Sequence, residues 1–128
     1  MLRLPVRVHG IQLGHAVDVL LHPSEPQALG LDVLCGDEKH RFLPFSAASI
    51  RGDHVEAASP LVLLDLRADS FYRREARPLS RLRGTPVAAG RTLEDVVLGN
   101  DWAIAELVLD DPDGTHRVPL DGLVLPSR

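Results

Sequence analysis

Two apolar stretches that end on a proline, Leu43-Pro44-Phe45-Ser46 and Val118-Pro119-Leu120-Asp121, constrain the fold more than any other feature of the chain. Proline has no N–H to give to a β-ladder, so within an apolar strand it belongs on an edge or at the last residue. Meeting the phrase twice predicts a repeated unit. In both copies an apolar residue follows the proline, and then comes Ser46 or Asp121. These are residue types whose side-chain oxygen caps a free backbone N–H, so the phrase reads as strand, end, short capped turn.

Aligning the halves on their prolines extends the match. Eleven residues upstream of each proline sits a Val-Leu pair, Val33-Leu34 and Val108-Leu109. Further back, Asp18-Val19-Leu20-Leu21 lies over Asp95-Val96-Val97-Leu98, and Leu4-Pro5-Val6 over Thr85-Pro86-Val87. The order is kept while the spacers differ: Pro5 to Asp18 is 13 residues and Pro86 to Asp95 is 9, as a shortened hairpin loop would give.

Within each half, short segments rich in β-branched residues alternate with turn chemistry, which argues for strands. The turns are His22–Pro26, Cys35–Lys39, Arg51–Asp53 and Asp110–Gly114; in the last, Pro112 presets its φ and Gly114 is free to take a left-handed conformation. Val17–Leu21 is apolar on both faces for part of its length, as a strand covered from two sides should be. Strands at such close intervals predict an all-β chain, either a small barrel or a sandwich.

The order LPV, LG-x-x-V-D-V-L-L, L-x-V, LPF-x-x-x-x-I resembles the PRC-barrel, a small all-β module. In the first half the resemblance rests on Gly14, Val17, Asp18, Val19, Leu20, Leu21, Val33, Leu43, Pro44, Phe45 and Ile50. In the second it rests on Pro86, Val87, Asp95, Val96, Val97, Leu98, Val108, Val118, Pro119, Leu120 and Leu125, without the Leu13-Gly14 step. It implies two PRC-barrel-like β-barrels in tandem, residues 1–65 and a shortened 82–128, joined by a partly helical linker over residues 66–81. PRC-barrels occur in the H subunit of photosynthetic reaction centres, in a ribosome maturation factor and in many small bacterial and archaeal proteins, and mostly act by docking on other proteins. The resemblance therefore implies a non-catalytic docking or adaptor module, with an RNA- or ribosome-associated maturation factor as the alternative.

The linker differs in charge from its surroundings. Residues 67–83 hold six arginines against Asp69 and Glu75, a net of +4, so the rest of this −4 chain carries −8. Ser70 is placed to cap a short helix running to about Arg77 and ended by Pro78, with a further helical turn near Leu79–Leu82. Arg73, Arg74, Arg77, Arg81 and Arg83 are the candidate partner-binding residues, and a solvated connector that balances two acidic barrels is the plainer reading. Nucleic acid is disfavoured, because a net acidic chain with five aromatic residues lacks the basic, aromatic surface that single-stranded RNA requires.

Other functions find little support in the residues. The longest apolar runs, such as Leu61–Leu64, fall far short of the roughly 20 residues of a membrane span, and no secretory leader pattern is evident, so a cytoplasmic location is expected. Cys35 is unpaired and reads as a small buried hydrophobe with no cationic partner in its local sequence. His9, His15 and His22 lack metal-ligand spacing, although strand pairing could bring His9 near His15. Asp110, Asp111 and Asp113 lack the later ligands of a calcium loop. No phosphate loop or nucleophile elbow appears, so no catalytic residue, cofactor or metal is expected. The 47 residues from Leu82 to Arg128 are near the size at which a lone core fails, so this half should pack on the first, with any remaining exposed apolar strand face or edge joining a second copy of the chain.

Overall fold

A computed structural model describes residues 2–59, 63–65, 76–88 and 90–120. The chain is all-β apart from one helical turn and one 3-10 turn among these residues. The first half contributes β1 (Pro5–Val8), β2 (Ile11–Leu21), β3 (Ala28–Cys35), β4 (His40–Pro44), β5 (Ala48–Ile50), β6 (Val55–Ala57) and β7 (Leu64–Asp65). β8 (Arg77–Pro78) and α1 (Leu79–Leu82) follow, and then β9 (Pro86–Ala88), β10 (Arg91–Leu98), β11 (Ile104–Asp111) and β12 (Gly114–Pro119). One sheet runs β5-β6-β1-β2-β3-β4-β7, with β8 added beside the far end of β2; the other runs β12-β11-β10-β9.

The meander β1-β2-β3-β4 and the meander β9-β10-β11-β12 repeat each other down to their irregularities. The β2–β3 register slips between Ala16 and Asp18 and again between Leu20 and Leu21. The β10–β11 register slips between Leu93 and Asp95 and between Val97 and Leu98, the aligned positions. An extra residue at a bulge disrupts the ladder locally. Beside each bulge an aspartate side chain accepts the next amide, Asp18 that of Val19 at 2.9 Å and Asp95 that of Val96 at 2.7 Å. This is the physical reason an aspartate stands inside an otherwise apolar strand in both copies. Ahead of the bulge, the Arg3 amide donates to the Ala16 carbonyl and the Ala16 amide to Leu4, while Gly84 donates to Leu93 and Leu93 to Thr85. Arg3 and Gly84 share positive φ values of 70° and 82°.

The two copies are related by an internal two-fold relation. Gln27 and Ala103, which hold equivalent places before β3 and β11, pair with each other in an antiparallel bridge. On one side the Ala28 amide donates to the Trp102 carbonyl; on the other, the Ile104 amide donates to Pro26, both at 2.9 Å. A contact in which each position meets its own counterpart is isologous, the pattern of a two-fold dimer, here within one polypeptide. The aspartates are used reciprocally as well. Asp18 accepts the Ser80 amide and hydroxyl at 2.9 and 2.6 Å, from the segment leading into the second meander. Asp95 accepts the Leu2 amide at 3.3 Å, from the segment leading into the first.

A single apolar core lies between the sheets. Val6, Val19, Leu31 and Val33 of the first half belong to the same cluster as Leu93, Val96, Leu107, Leu109 and Trp102 of the second. The second half thus packs on the first through apolar residues, which relieves the shortage of core expected of 47 residues alone. Leu79 and Leu82 of α1 are fully buried in the same cluster. On the opposite face of the first sheet, Leu20, Phe42 and Ala76 form a smaller cluster, so the Val17–Leu21 run is covered from both sides. The second sheet has Val97, Arg117 and Ala105 at the places of Leu20, Phe42 and Leu29.

Four local expectations are corrected. The match of Val33 with Val108 slips by one residue: Val33 stands opposite Arg41, and its counterpart opposite His116 is Leu109, while Val108 stands opposite Arg117. Pro44 and Pro119 do close their strands, but Ser46 lies inside a 3-10 turn, Phe45–Ala47, that makes no side-chain cap hydrogen bond. The turn is carried instead by the fixed φ of Pro44, which is −69°. Arg77 lies in a strand and not in a helix: Arg77 and Pro78 pair with Leu21 and Leu20 of β2 as β8, and a helical turn follows at Leu79–Leu82. Ser70, Arg73, Arg74 and Asp121 lie outside the described residues. His15 stands opposite Pro5 while His9 sits in the turn at φ 50°, so strand register does not pair the two histidines.

Candidate docking edge

β12 is the least covered strand among the described residues. The hairpin that creates it follows from sequence: Asp111 and Gly114 pair across Pro112-Asp113, the Asp111 carboxylate accepts the Asp113 amide at 2.8 Å, and Gly114 takes φ 119°. In β12 Gly114 through Arg117 and Pro119 are exposed and Val118 is half-buried, packed against the shared core. Among the described residues β12 pairs with β11 and no other strand. Its counterpart β4 differs: β4 pairs with β7 on its outer edge, placing Arg41 opposite Asp65 and Phe42 opposite Leu64.

Side chains of both signs stand along this edge, His116 and Arg117 on β12 beside Glu106, Asp110 and Asp111 of β11. Val108 stands opposite Arg117, and Leu109 opposite His116. His116 Nε2 lies 3.4 Å from Asp111 Oδ1, whose other oxygen lies 3.5 Å from Arg91 Nε. The Arg117 side chain makes no hydrogen bond or ion pair among the described residues. An open edge offers backbone donors and acceptors to any extended chain, and side chains beside it decide which chain is accepted.

Of the arginines named from sequence, Arg77, Arg81 and Arg83 lie among the described residues, on β8, on α1 and directly after it. Arg77 donates through Nε to the His22 carbonyl at 2.9 Å, fastening β8 to the β2–β3 loop. Arg81 is exposed on α1, and Arg83 is joined to Glu94.

Two other polar clusters serve the fold. An open pocket of about 280 Å³ is lined by Leu13, Cys35, Gly36, Asp37, Arg41 and Leu63. Here the β3–β4 hairpin brings Arg41 to Cys35, a cationic neighbour the local sequence did not show. Arg41 is already bound in two-pronged fashion to Asp37, at 2.9 and 2.7 Å. That contact, with the Lys39 amide, holds the Asp37 carboxyl down at about 2 and raises the Arg41 guanidinium further. Cys35 is buried and free. At the turn Arg51–Asp53, both ring nitrogens of His54 meet carboxylates, Asp53 at 2.7 Å and Glu56 at 3.2 Å. The His54 contact lowers Asp53, and the His9 amide, 2.9 Å from Glu56, is the main cause lowering Glu56. The His54 contacts lie within the β5–β6 hairpin, and the His9–Glu56 contact ties that hairpin to the β1–β2 turn.

Among the described residues, no group of three or more His, Cys, Asp or Glu could hold a metal ion. No helix among them is long and apolar enough to cross a membrane. No family model matches the chain, and no curated protein matches it in sequence.

Proposed function

We propose that this chain is a tandem PRC-barrel-like, non-catalytic docking module that captures an extended segment of a protein partner on β12. The observation that carries the reading is that β12 is exposed at every residue but Val118, with its outer edge unpaired among the described residues, while the equivalent edge of β4 is occupied by β7. The doubled register, bulge positions and proline ends support the tandem arrangement. The RNA- or ribosome-associated alternative gains nothing from Arg77 and Arg83, which are engaged within the fold. Affinity purification of the tagged full-length chain, with nuclease treatment, tests the reading. A protein partner that survives nuclease and is lost from a His116→Glu/Arg117→Glu variant is the expected result. Nucleic acid binding that weakens steeply with added salt, unchanged in that variant, would favour the alternative.

A further inference from the structure

We infer that the partner taken by β12 is a second copy of the chain, its own β12 laid antiparallel across a two-fold axis at His116; this rests on the docking reading above and names its partner. The phase of the ladder selects the register. Asp111 and Gly114 close a two-residue hairpin and are therefore a hydrogen-bonded pair, and the alternation runs on to Leu120, whose amide donates to the Ala105 carbonyl. Gly114, His116 and Val118 thus aim their amide and carbonyl groups at β11, while Thr115 and Arg117 aim theirs outward and Pro119 offers only a carbonyl. Pairing Thr115 with the partner's Arg117, and Arg117 with the partner's Thr115, uses every outward amide of both strands and leaves both prolines outside the ladder. Sliding the strands so that Arg117 meets the partner's Arg117 would set each Thr115 against a proline, which loses donors and opposes like charges.

The side chains fit the same register. Arg117 and Asp110 stand opposite Val108 and Thr115, on the face of the second sheet turned away from the buried Leu107 and Leu109. Asp110 and Glu106 lie diagonal to Arg117 within one chain, yet neither the Arg117 nor the Asp110 side chain makes an ion pair among the described residues. In the joined sheet one row reads Val108, Arg117, the partner's Thr115 and the partner's Asp110. Arg117 and the partner's Asp110 are then about 10 Å apart between Cα atoms, a span the two side chains bridge over the small threonine. The two-fold axis repeats the contact, so charges left unmatched in one chain are matched twice between two. Such a contact is isologous and closes as a dimer. On the axis His116 meets the partner's His116, with Asp111 3.4 Å from its Nε2. Only Gly114–Val118 take part, an interface at the small end of specific complexes, so the dimer is weak and concentration-dependent.

Analytical ultracentrifugation of the full chain from micromolar to millimolar concentration reads the dimer, and hydrogen exchange in 15N–1H spectra locates it. Protection of the outward Thr115 and Arg117 amides should rise with concentration. Arg117→Asp and Asp110→Arg, both at exposed positions, should each weaken the dimer about tenfold, and mixing the two variants should restore it, because the mixed dimer sets opposite charges at both contacts. Mixing would repair neither a damaged fold nor a contact within one chain. A dimer indifferent to both substitutions would overturn the inference, as would one that leaves the Thr115 and Arg117 amides unprotected. A chain that stays monomeric at millimolar concentration, yet captures a β12-dependent partner in the affinity purification above, would overturn self-pairing and leave edge docking standing. A monomer that captures none would overturn both.

Discussion

Replacing Leu31 by alanine tests whether the two halves share one core. Leu31 lies on β3 with no exposed surface, in the cluster that also contains Trp102 and Leu107. Truncating a fully buried leucine removes its transfer free energy and leaves a cavity that the surroundings only partly fill, together costing about 3 kcal/mol. For a chain of this size each kcal/mol lowers Tm by roughly 3–5 °C, so a fall of about 10–15 °C is expected. The chain has one tryptophan, Trp102, which sits in the second half and is nearly inaccessible. Its fluorescence reports the second half, and far-UV circular dichroism reports the whole. In Leu31→Ala both transitions should move together and remain coincident, as a single cooperative unit requires. The equivalent change, Leu107→Ala, should cost the same within about 1 kcal/mol, since Leu107 occupies the matching register position and is likewise inaccessible. A Trp102 transition that stays at the wild-type temperature in Leu31→Ala would refute the shared core.

Asp18→Ala should lower stability by about 1–2 kcal/mol in urea unfolding, because it removes the acceptor for Val19 and for both donors of Ser80. Gly30→Ala should cost about 1–3 kcal/mol, since an added Cβ would lie 2.3 Å from the Leu43 carbonyl oxygen and 2.6 Å from the Phe42 ring. The same residue is tolerated as Glu106 in the second sheet, where Arg117 replaces Phe42, so Glu106→Ala should change stability little. The Asp37 carboxyl is held below its ordinary 3.8, at about 2, so its contribution is present above pH 4 and is lost as pH falls through about 2. Asp37→Asn should therefore remove part of the acid dependence of Tm in that window, and an unchanged profile would show that the Arg41 contact contributes nothing.

Much of the fold was legible because its signals are local. Proline at a strand end, a two-sided apolar run and the Asp110–Gly114 turn each follow from the chemistry of one short stretch, and all three stand in the structure. What stayed hidden depends on contacts distant in sequence. Asp18 and Asp95 were visible as matching residues, yet their use as bulge acceptors and as latches for Ser80 and Leu2 needs both halves in place. A polar residue recurring within two apolar strands was the available signal. In the linker, Ser70 and Pro78 suggested a short helix to about Arg77, most of which lies outside the described residues. At its end Arg77 and Pro78 take a strand slot beside Leu21 and Leu20 of β2, which satisfies the backbone there. The arginines drew attention because charge is easily counted. An open edge such as β12 cannot be counted, because exposure is a property of what fails to pack beside a strand.

The crossing of Gln27 and Ala103 is where the two copies meet as equals, so an Hα–Hα NOE between these residues probes the duplication directly. A strong cross-peak is predicted, together with slow exchange of the Ala28 and Ile104 amides, which donate across it to Trp102 and Pro26. A missing cross-peak with fast exchange at both amides would contradict an internally two-fold molecule.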